Sequence, residues 1–173
     1  MTDELKNIPV YPHSGKYADE HGELKQYFDS YRANLECVEI IHQAANQHYD
    51  YDSYCFNTKA AEQIIEQCGM DRALYVLANT VREKSWDGRI SRDNIAWAEK
   101  YPVVEDMDTF GRRKNAEYSV DAVHPGLTNL LVKEMRKLAE REKNPSIREQ
   151  LAAAKSQQRE KPAAKSKNRE EAR

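Results

Sequence analysis

From Glu23 onward, the apolar side chains Leu24, Tyr27, Phe28, Tyr31, Leu35, Val38, Ile41 and Ala45 recur at three- and four-residue steps. That spacing lays them along one stripe of a long helix, and the stripe has to be covered by other elements. The rest of the sequence supplies helical cover. Asn57 or Thr58 can cap a helix that buries Ala61, Ile64, Ile65 and Cys68, and Gly69 stands where a left-handed residue closes a helix. Asp71 then caps a helix with Ala73, Leu74, Val76, Leu77, Thr80 and Val81 on its inner face. Ser91 opens another with Ile95, Ala98 and Tyr101, which Pro102 ends. Pro125 suits the first turn of a last helix carrying Leu127, Leu130, Leu131, Met135 and Leu138. Upstream, Ser14 caps a short helix that Gly22 closes.

Between these helices, His48–Phe56 alternates aromatic and small polar residues with a period nearer two, which fits a loop or one short extended segment. Residues 102–118 are too polar for core and read as a loop. The expected fold is mainly α: a compact single-domain bundle of about five to six helices. Trp86 follows one helix directly, Asp87-Gly88 turns the chain, and Ile90 and Ile95 return it to the core. This predicts an indole that plugs the turn, with about 3 to 5 kcal/mol lost on truncation to alanine.

At 173 residues the chain suits one ordinary domain. Charge divides it further. Residues 144–173 hold eight Lys/Arg against four Asp/Glu, a net +4, which leaves −6 for residues 1–143. The expected organisation is a flexible N-terminus over 1–10, a helical domain over 11–143 and a disordered basic tail over 144–173, whose composition buries too little apolar surface to offset ordering entropy. Charged residues make up 32% and mean hydropathy is −0.93, so no membrane span is expected. Asp3, Glu4 and Lys6 occupy the place of a leader's basic and apolar blocks, which points to the cytoplasm. Cys37, Cys55 and Cys68 are odd in number and form no CxxC pair, so reduced, core-filling thiols are expected.

No histidine spacing matches two imidazoles on one helical face, so neither metal nor other cofactor is expected. His124 precedes Pro125-Gly126 at a helix start, with Asp121 three residues earlier. An imidazole oriented by a carboxylate is how a general base is built, although such a pair more often serves as a structural hydrogen-bond cluster. G-x-S-x-G and Walker patterns are absent. The candidate partner-binding residues are Tyr49, Tyr51 and Tyr54 in the aromatic segment, Arg112 and Arg113 in the basic loop, Arg89 and Arg92 beside Trp86, and His124. Tyrosine and arginine are residue types that interfaces favour. The competing expectation is a satellite core for the tyrosines and a solvated surface for the basic triplet.

Several blocks occur together: Tyr11-Pro-His-Ser-Gly-Lys-Tyr-Ala18, Glu20-His-Gly-Glu-Leu24, Tyr31-Arg-Ala-Asn34 with Cys37, Trp86-Asp-Gly-Arg-Ile-Ser-Arg-Asp-Asn-Ile-Ala-Trp-Ala98 and Val120-Asp-Ala-Val-His-Pro-Gly-Leu-Thr-Asn-Leu130. With these, the chain resembles a family of small domains of unknown function carried by conjugative elements, plasmids and phages of gut Firmicutes. The resemblance spans about Tyr11 to Leu138. The family's late motif usually reads Val-Asp-Ser-His-Pro; here Ala122-Val123 precedes His124, one residue longer. The resemblance supplies no catalytic residues. It implies an accessory factor of a mobile element, close to an anti-CRISPR group that inhibits type II effector nucleases by binding them.

The expected function is therefore a non-enzymatic binding protein, a counter-defence inhibitor whose partner is an RNA-guided nuclease. Two alternatives remain open. One is a nucleic-acid accessory protein of a conjugative element, with weak nucleic-acid contact through the basic tail. The other is a phosphoryl or nucleic-acid enzyme using His124 with Asp121 and Arg92, which requires the Trp86–Arg92 loop to meet the start of the last helix.

Overall fold

The computed structural model describes residues 2–50, 52, 55, 56, 58–120 and 125–144. Seven α-helices stand among them: α1 Thr2–Asn7, α2 Gly15–His21, α3 Leu24–His48, α4 Thr58–Cys68, α5 Met70–Glu83, α6 Arg92–Lys100 and α7 Pro125–Lys143. A 3-10 helix spans Lys114–Tyr118, and two-residue strands β1 Tyr49–Asp50 and β2 Cys55–Phe56 pair antiparallel. The mainly α bundle is as the periodicity predicts. Contacts group Met1–Leu138 into one compact unit and Ala139–Arg173 into a second, of which residues 139–144 are described. Of the expected tail, residues 144–173, all but Asn144 lies outside the described residues.

The helix beyond the expected six is α1, in the stretch that sequence alone gives as a flexible N-terminus. Leu5 is buried there, and α1 packs on α4, so one apolar side chain ties the segment down.

Helix α5 is the centre of the bundle. Ten consecutive residues, Arg72 to Val81, are buried, so the helix is covered all round by α3, α4, α6 and the 3-10 helix. Its buried polar residues have definite partners. Thr80 Oγ1 donates to the Val76 carbonyl and accepts from Val120 N, and Asn79 Nδ2 donates to the Asn115 carbonyl at 2.8 Å. Arg72 donates to the carbonyls of Ser30 and Ile8 and to Asn34 Oδ1, which lashes α5 to α3 and the N-terminal segment. Burial without a carboxylate partner lowers the pKa of this guanidinium.

These contacts explain a shift in the α3 stripe. The buried positions are Tyr27, Ser30, Ala33, Asn34, Cys37, Val38, Ile41 and Ala44, whereas Leu24 and Phe28 are exposed. Ser30 and Asn34 face inward because Arg72 and the Tyr11 amide bond there. Cys37 and Cys68 are buried free thiols, as expected, and hydrogen bonding between them together with burial pushes the Cys37 thiol up.

The helix ends follow local chemistry, with corrections. Ser14 caps α2 through Tyr17 N, and Gly22 closes it at φ 73°. Gly69 has the expected positive φ, but its ψ is 153°, and it serves as the cap before α5, which starts at Met70. Asp71 lies in the first turn instead of capping, where its charge favours the helix dipole. Ser91 caps α6 through Asn94 N. The far end of α6 is closed by Arg82, which donates to the carbonyls of Ala98, Glu99, Tyr101 and Val103.

Two further expectations fail. The 102–118 stretch is not merely a solvated loop: Asp106, Asn115 and Tyr118 are buried, because each polar group finds an internal partner. Trp86 does not plug the turn. It is 80% exposed, and Ile90, 4% exposed, fills the interior place instead.

Candidate partner-binding face

The turn after α5 is fixed by short-range bonds. Trp86 Nε1 donates to the Glu83 carbonyl at 3.1 Å, which satisfies the indole against its own helix and leaves the ring outside. Asp87 N donates to the Lys84 carbonyl, and Ile90 N to the Asp87 carbonyl. The Asp87 carboxylate accepts from Arg89 N and Nε at 2.9 Å each and from the second guanidinium nitrogen at 2.7 Å. These bonds from Arg89 pull the Asp87 pKa down to about 2. Arg89 stays largely exposed, and Arg92, at the start of α6, is exposed too. The result is an aromatic ring and two guanidiniums on a pinned turn.

A second exposed feature is the loop that precedes the 3-10 helix. Met107 and Arg113 form an antiparallel bridge, Asp108 N donates to the Arg112 carbonyl at 2.8 Å, and Gly111 turns the chain at φ 74°. Asp108 accepts from Phe110 N, Arg112 N and Arg112 Nε, and these bonds lower its pKa. Phe110 stands at the tip, 82% exposed, with the Arg112 guanidinium 5.4 Å from its ring centre. Arg113 turns inward and pairs with Glu83 and Glu105 at 3.2 and 3.1 Å, so it clamps the hairpin to α5.

Beneath the other end of this loop lies a buried polar cluster. Asp106 Oδ2 accepts from Tyr27 OH at 2.5 Å and from Gly15 N at 3.0 Å, while Oδ1 accepts from Met107 N. Lys114 Nζ lies over the Tyr27 ring. Burial and the Asp106 carboxylate push the Tyr27 phenol well above its usual range. Tyr11, Tyr31, Tyr75 and Tyr118 complete the surroundings of a cavity of about 20 Å³, room for one water. So small a space, among satisfied groups, makes this cluster a fastener between α2, α3 and the loop.

Of the remaining sequence-predicted residues, Tyr49 is half-buried in β1, opposite Phe56 in register. Tyr51, Tyr54 and His124, with Asp121, lie outside the described residues. The Trp86–Arg92 loop does approach α7: Ser91 N donates to Asn129 Oδ1 at 2.9 Å, and Asn94 Nδ2 reaches both Asn129 Oδ1 and its carbonyl. Arg136 closes this junction on Asn94 Oδ1. The described residues hold no group of three His, Cys, Asp or Glu side chains placed to bind a metal ion, and no helix among them is long and apolar enough to cross a membrane.

Sequence reasoning missed Trp86, Met107 and Phe110 as surface residues. For Phe110 a signal exists in Asp108-Thr-Phe-Gly111, where an aspartate and a glycine bracket a tight turn and leave the aromatic at its apex.

No curated protein and no solved structure matches this chain. A family model matches residues 10–140, a span that takes in the polar cluster, the Trp86 turn and the hairpin. The chain thus belongs to the family described as protein of unknown function DUF3849.

Proposed function

We propose that this chain is a non-enzymatic binding protein that recognises a protein partner through the Trp86–Arg92 turn. The observation that carries the reading is Trp86, 80% exposed on a turn that Asp87 and Arg89 hold rigid. A large ring whose position is already fixed loses little entropy on binding, and tryptophan and arginine dominate interface energetics. The resemblance to mobile-element proteins supplies the identity of the partner in this reading: a type II RNA-guided effector nuclease, with the chain as a counter-defence inhibitor. The charge of −6 over residues 1–143 favours encounter with a basic nucleic-acid channel, but with both signs interspersed it is too small for wholesale imitation of DNA. A shaped patch does the recognising.

The test is a pull-down and DNA-cleavage assay against several type II effectors, with wild type and Trp86→Ala. Inhibition that the variant loses supports the reading. No binding and no inhibition by wild type across the panel removes the counter-defence assignment. The nucleic-acid accessory alternative is separated by truncation after Lys143: it requires that low-salt DNA retention be lost with the tail.

A further inference from the structure

Helices α3 and α4 form a hairpin closed by the two short strands, and its register can be followed away from them. Tyr49 pairs with Phe56, and His48 and Gln47 both meet Gln63. Cys37 stands twelve residues before Tyr49, and Cys68 twelve after Phe56. At about 1.5 Å per helical residue, each lies about 18 Å from the strands, at one level of the hairpin. Both face the packing between helices: Cys37 is 0% and Cys68 1% exposed. A hydrogen bond joins the two thiols, and it raises the Cys37 pKa, so Cys37 keeps its proton and donates it toward the Cys68 sulfur.

A buried cation acts on the same pair. Arg72, 2% exposed, bonds Ser30, Asn34 and Ile8 through its terminal nitrogens, while its Nε has no hydrogen-bond partner. Its charge interacts with both cysteines and with no carboxylate. A thiolate is the anion that this site can supply, and the thiolate is the reactive form of cysteine. Cys68 also stands at a helix boundary, since it ends α4 and Gly69, at φ 78°, separates it from α5. A Cβ at Gly69 would meet nothing within 4 Å, so open space adjoins the Cys68 backbone. Local opening at such a boundary admits a small oxidant.

We infer that Cys37 and Cys68 are a redox pair, which hydrogen peroxide closes into a disulfide joining α3 to α4. Cys68 Sγ, deprotonated beside Arg72, attacks one peroxide oxygen. The S–O bond forms, the O–O bond breaks, and the departing hydroxide takes up the proton released by Cys68 and leaves as water. Cys37 Sγ then attacks the sulfur of the resulting sulfenic acid. The S–S bond forms, the S–O bond breaks, and the second hydroxide leaves as water with the Cys37 proton. Two electrons pass from the sulfurs to the peroxide oxygens, and a dithiol reductant returns them. This site is independent of the Trp86 surface.

The test treats the folded full chain with a small excess of hydrogen peroxide, blocks remaining thiols with iodoacetamide and digests with trypsin. Peptides 33–59 and 60–72 should appear linked, and dithiothreitol should separate them. Peptide 33–59 also holds Cys55, so Cys55→Ser, which should keep the link, assigns it to Cys37. With Cys55 replaced, Cys37→Ser should accumulate a sulfenic acid on Cys68 that dimedone captures, whereas Cys68→Ser should leave Cys37 unlabelled. Closing a loop of about thirty residues should raise the melting temperature of the oxidised chain by about 10 °C, reversibly. Circular dichroism confirms that each variant is folded, and the wild-type link and melt need no substitution. Thiols that stay free in peroxide, a link through Cys55, dimedone on Cys37 instead of Cys68, or an oxidised chain that melts no higher than the reduced one would each overturn the proposal.

Discussion

The segments Tyr11–Ala18 and Trp86–Arg92 read alike, each setting an aromatic beside a glycine, a serine cap and basic side chains, yet the aromatics of the first lie half-buried against the fold and the indole of the second stands outside it. In the first, Gly15 lets the α2 backbone approach Tyr27 and Asp106, and its amide bonds the buried carboxylate. In the second, the carboxylate of Asp87 is spent on the arginine two residues away and the indole bonds its own helix, so that Ile90 fills the interior and Ser91 N bonds Asn129 on α7 while Trp86 stays outside. The difference lies in where the polar groups find partners. Bonds made across the chain hold Tyr11 and Gly15 against the fold, whereas the indole of Trp86, bonded only to its own helix end, is left free to face a partner.

The largest expected effect comes from removing the long-range partner. Asp106→Ala leaves the Tyr27 hydroxyl and the amides of Gly15 and Met107 without their acceptor, and stranding such groups costs about 3 kcal/mol. Thermal melts should show a drop of about 10 °C. A variant that melts with wild type would show that this cluster is not the fastener.

The two glycines sharpen the comparison. A Cβ at Gly15 would lie 3.0 Å from Tyr27 Cζ and 3.2 Å from Asp106 Oδ2, whereas one at Gly88 would meet nothing within 4 Å. Gly15→Val should therefore cost about 2 kcal/mol through overpacking, and Gly88→Ala should stay within about 0.5 kcal/mol. Urea denaturation of both variants checks this; equal losses would break the distinction between a fastened and a free segment.

Acid titration probes the bonds at the Trp86 turn. The Asp87 carboxyl is held at about 2 in the folded chain by Arg89, below the ordinary value near 4. A depressed acid contributes stability that is present above the unfolded value and is lost as pH falls from about 4 toward 2. Wild type should lose more stability across that window than Asp87→Asn, measured as the change in urea midpoint with pH. Coincident pH profiles would mean that the Asp87–Arg89 pair is not held in solution.

How much of this was legible follows the same division. Helices α2 to α7 rest on caps, breakers and three-to-four spacing, all local signals, and the sequence predicts each of them. The inward turn of Ser30 and Asn34 was not legible, because it depends on Arg72, about 40 residues away in the chain. Burial of Asp106 depends likewise on Tyr27 and Gly15, whose sequence separations give no pattern to read. The fate of Trp86 turned on a choice between two apolar residues, Trp86 and Ile90, for one interior place. Composition cannot decide that choice; the geometry of a helix end does, since Asp87 and Lys84 close a turn that points position 86 outward. Among the candidate site residues, Arg89, Arg92 and Arg112 lie on exposed surface, and Arg113 is a clamp.

The smallest expected stability effect is also the one that most directly tests the comparison. Trp86→Ala removes a ring that covers little of the core and one hydrogen bond to the Glu83 carbonyl, which water can replace at the surface. The loss should stay within about 0.5 kcal/mol, far from the 3 to 5 kcal/mol that a buried tryptophan costs. Ile90→Ala, one turn away and 4% exposed, should cost several times more, because it opens a cavity where α5 passes into α6. Melts of the two variants side by side decide which residue is the plug, and binding to the partner should rank them in the opposite order. A Trp86→Ala protein that unfolds like Ile90→Ala would place the indole in the core and remove the surface on which the binding reading rests.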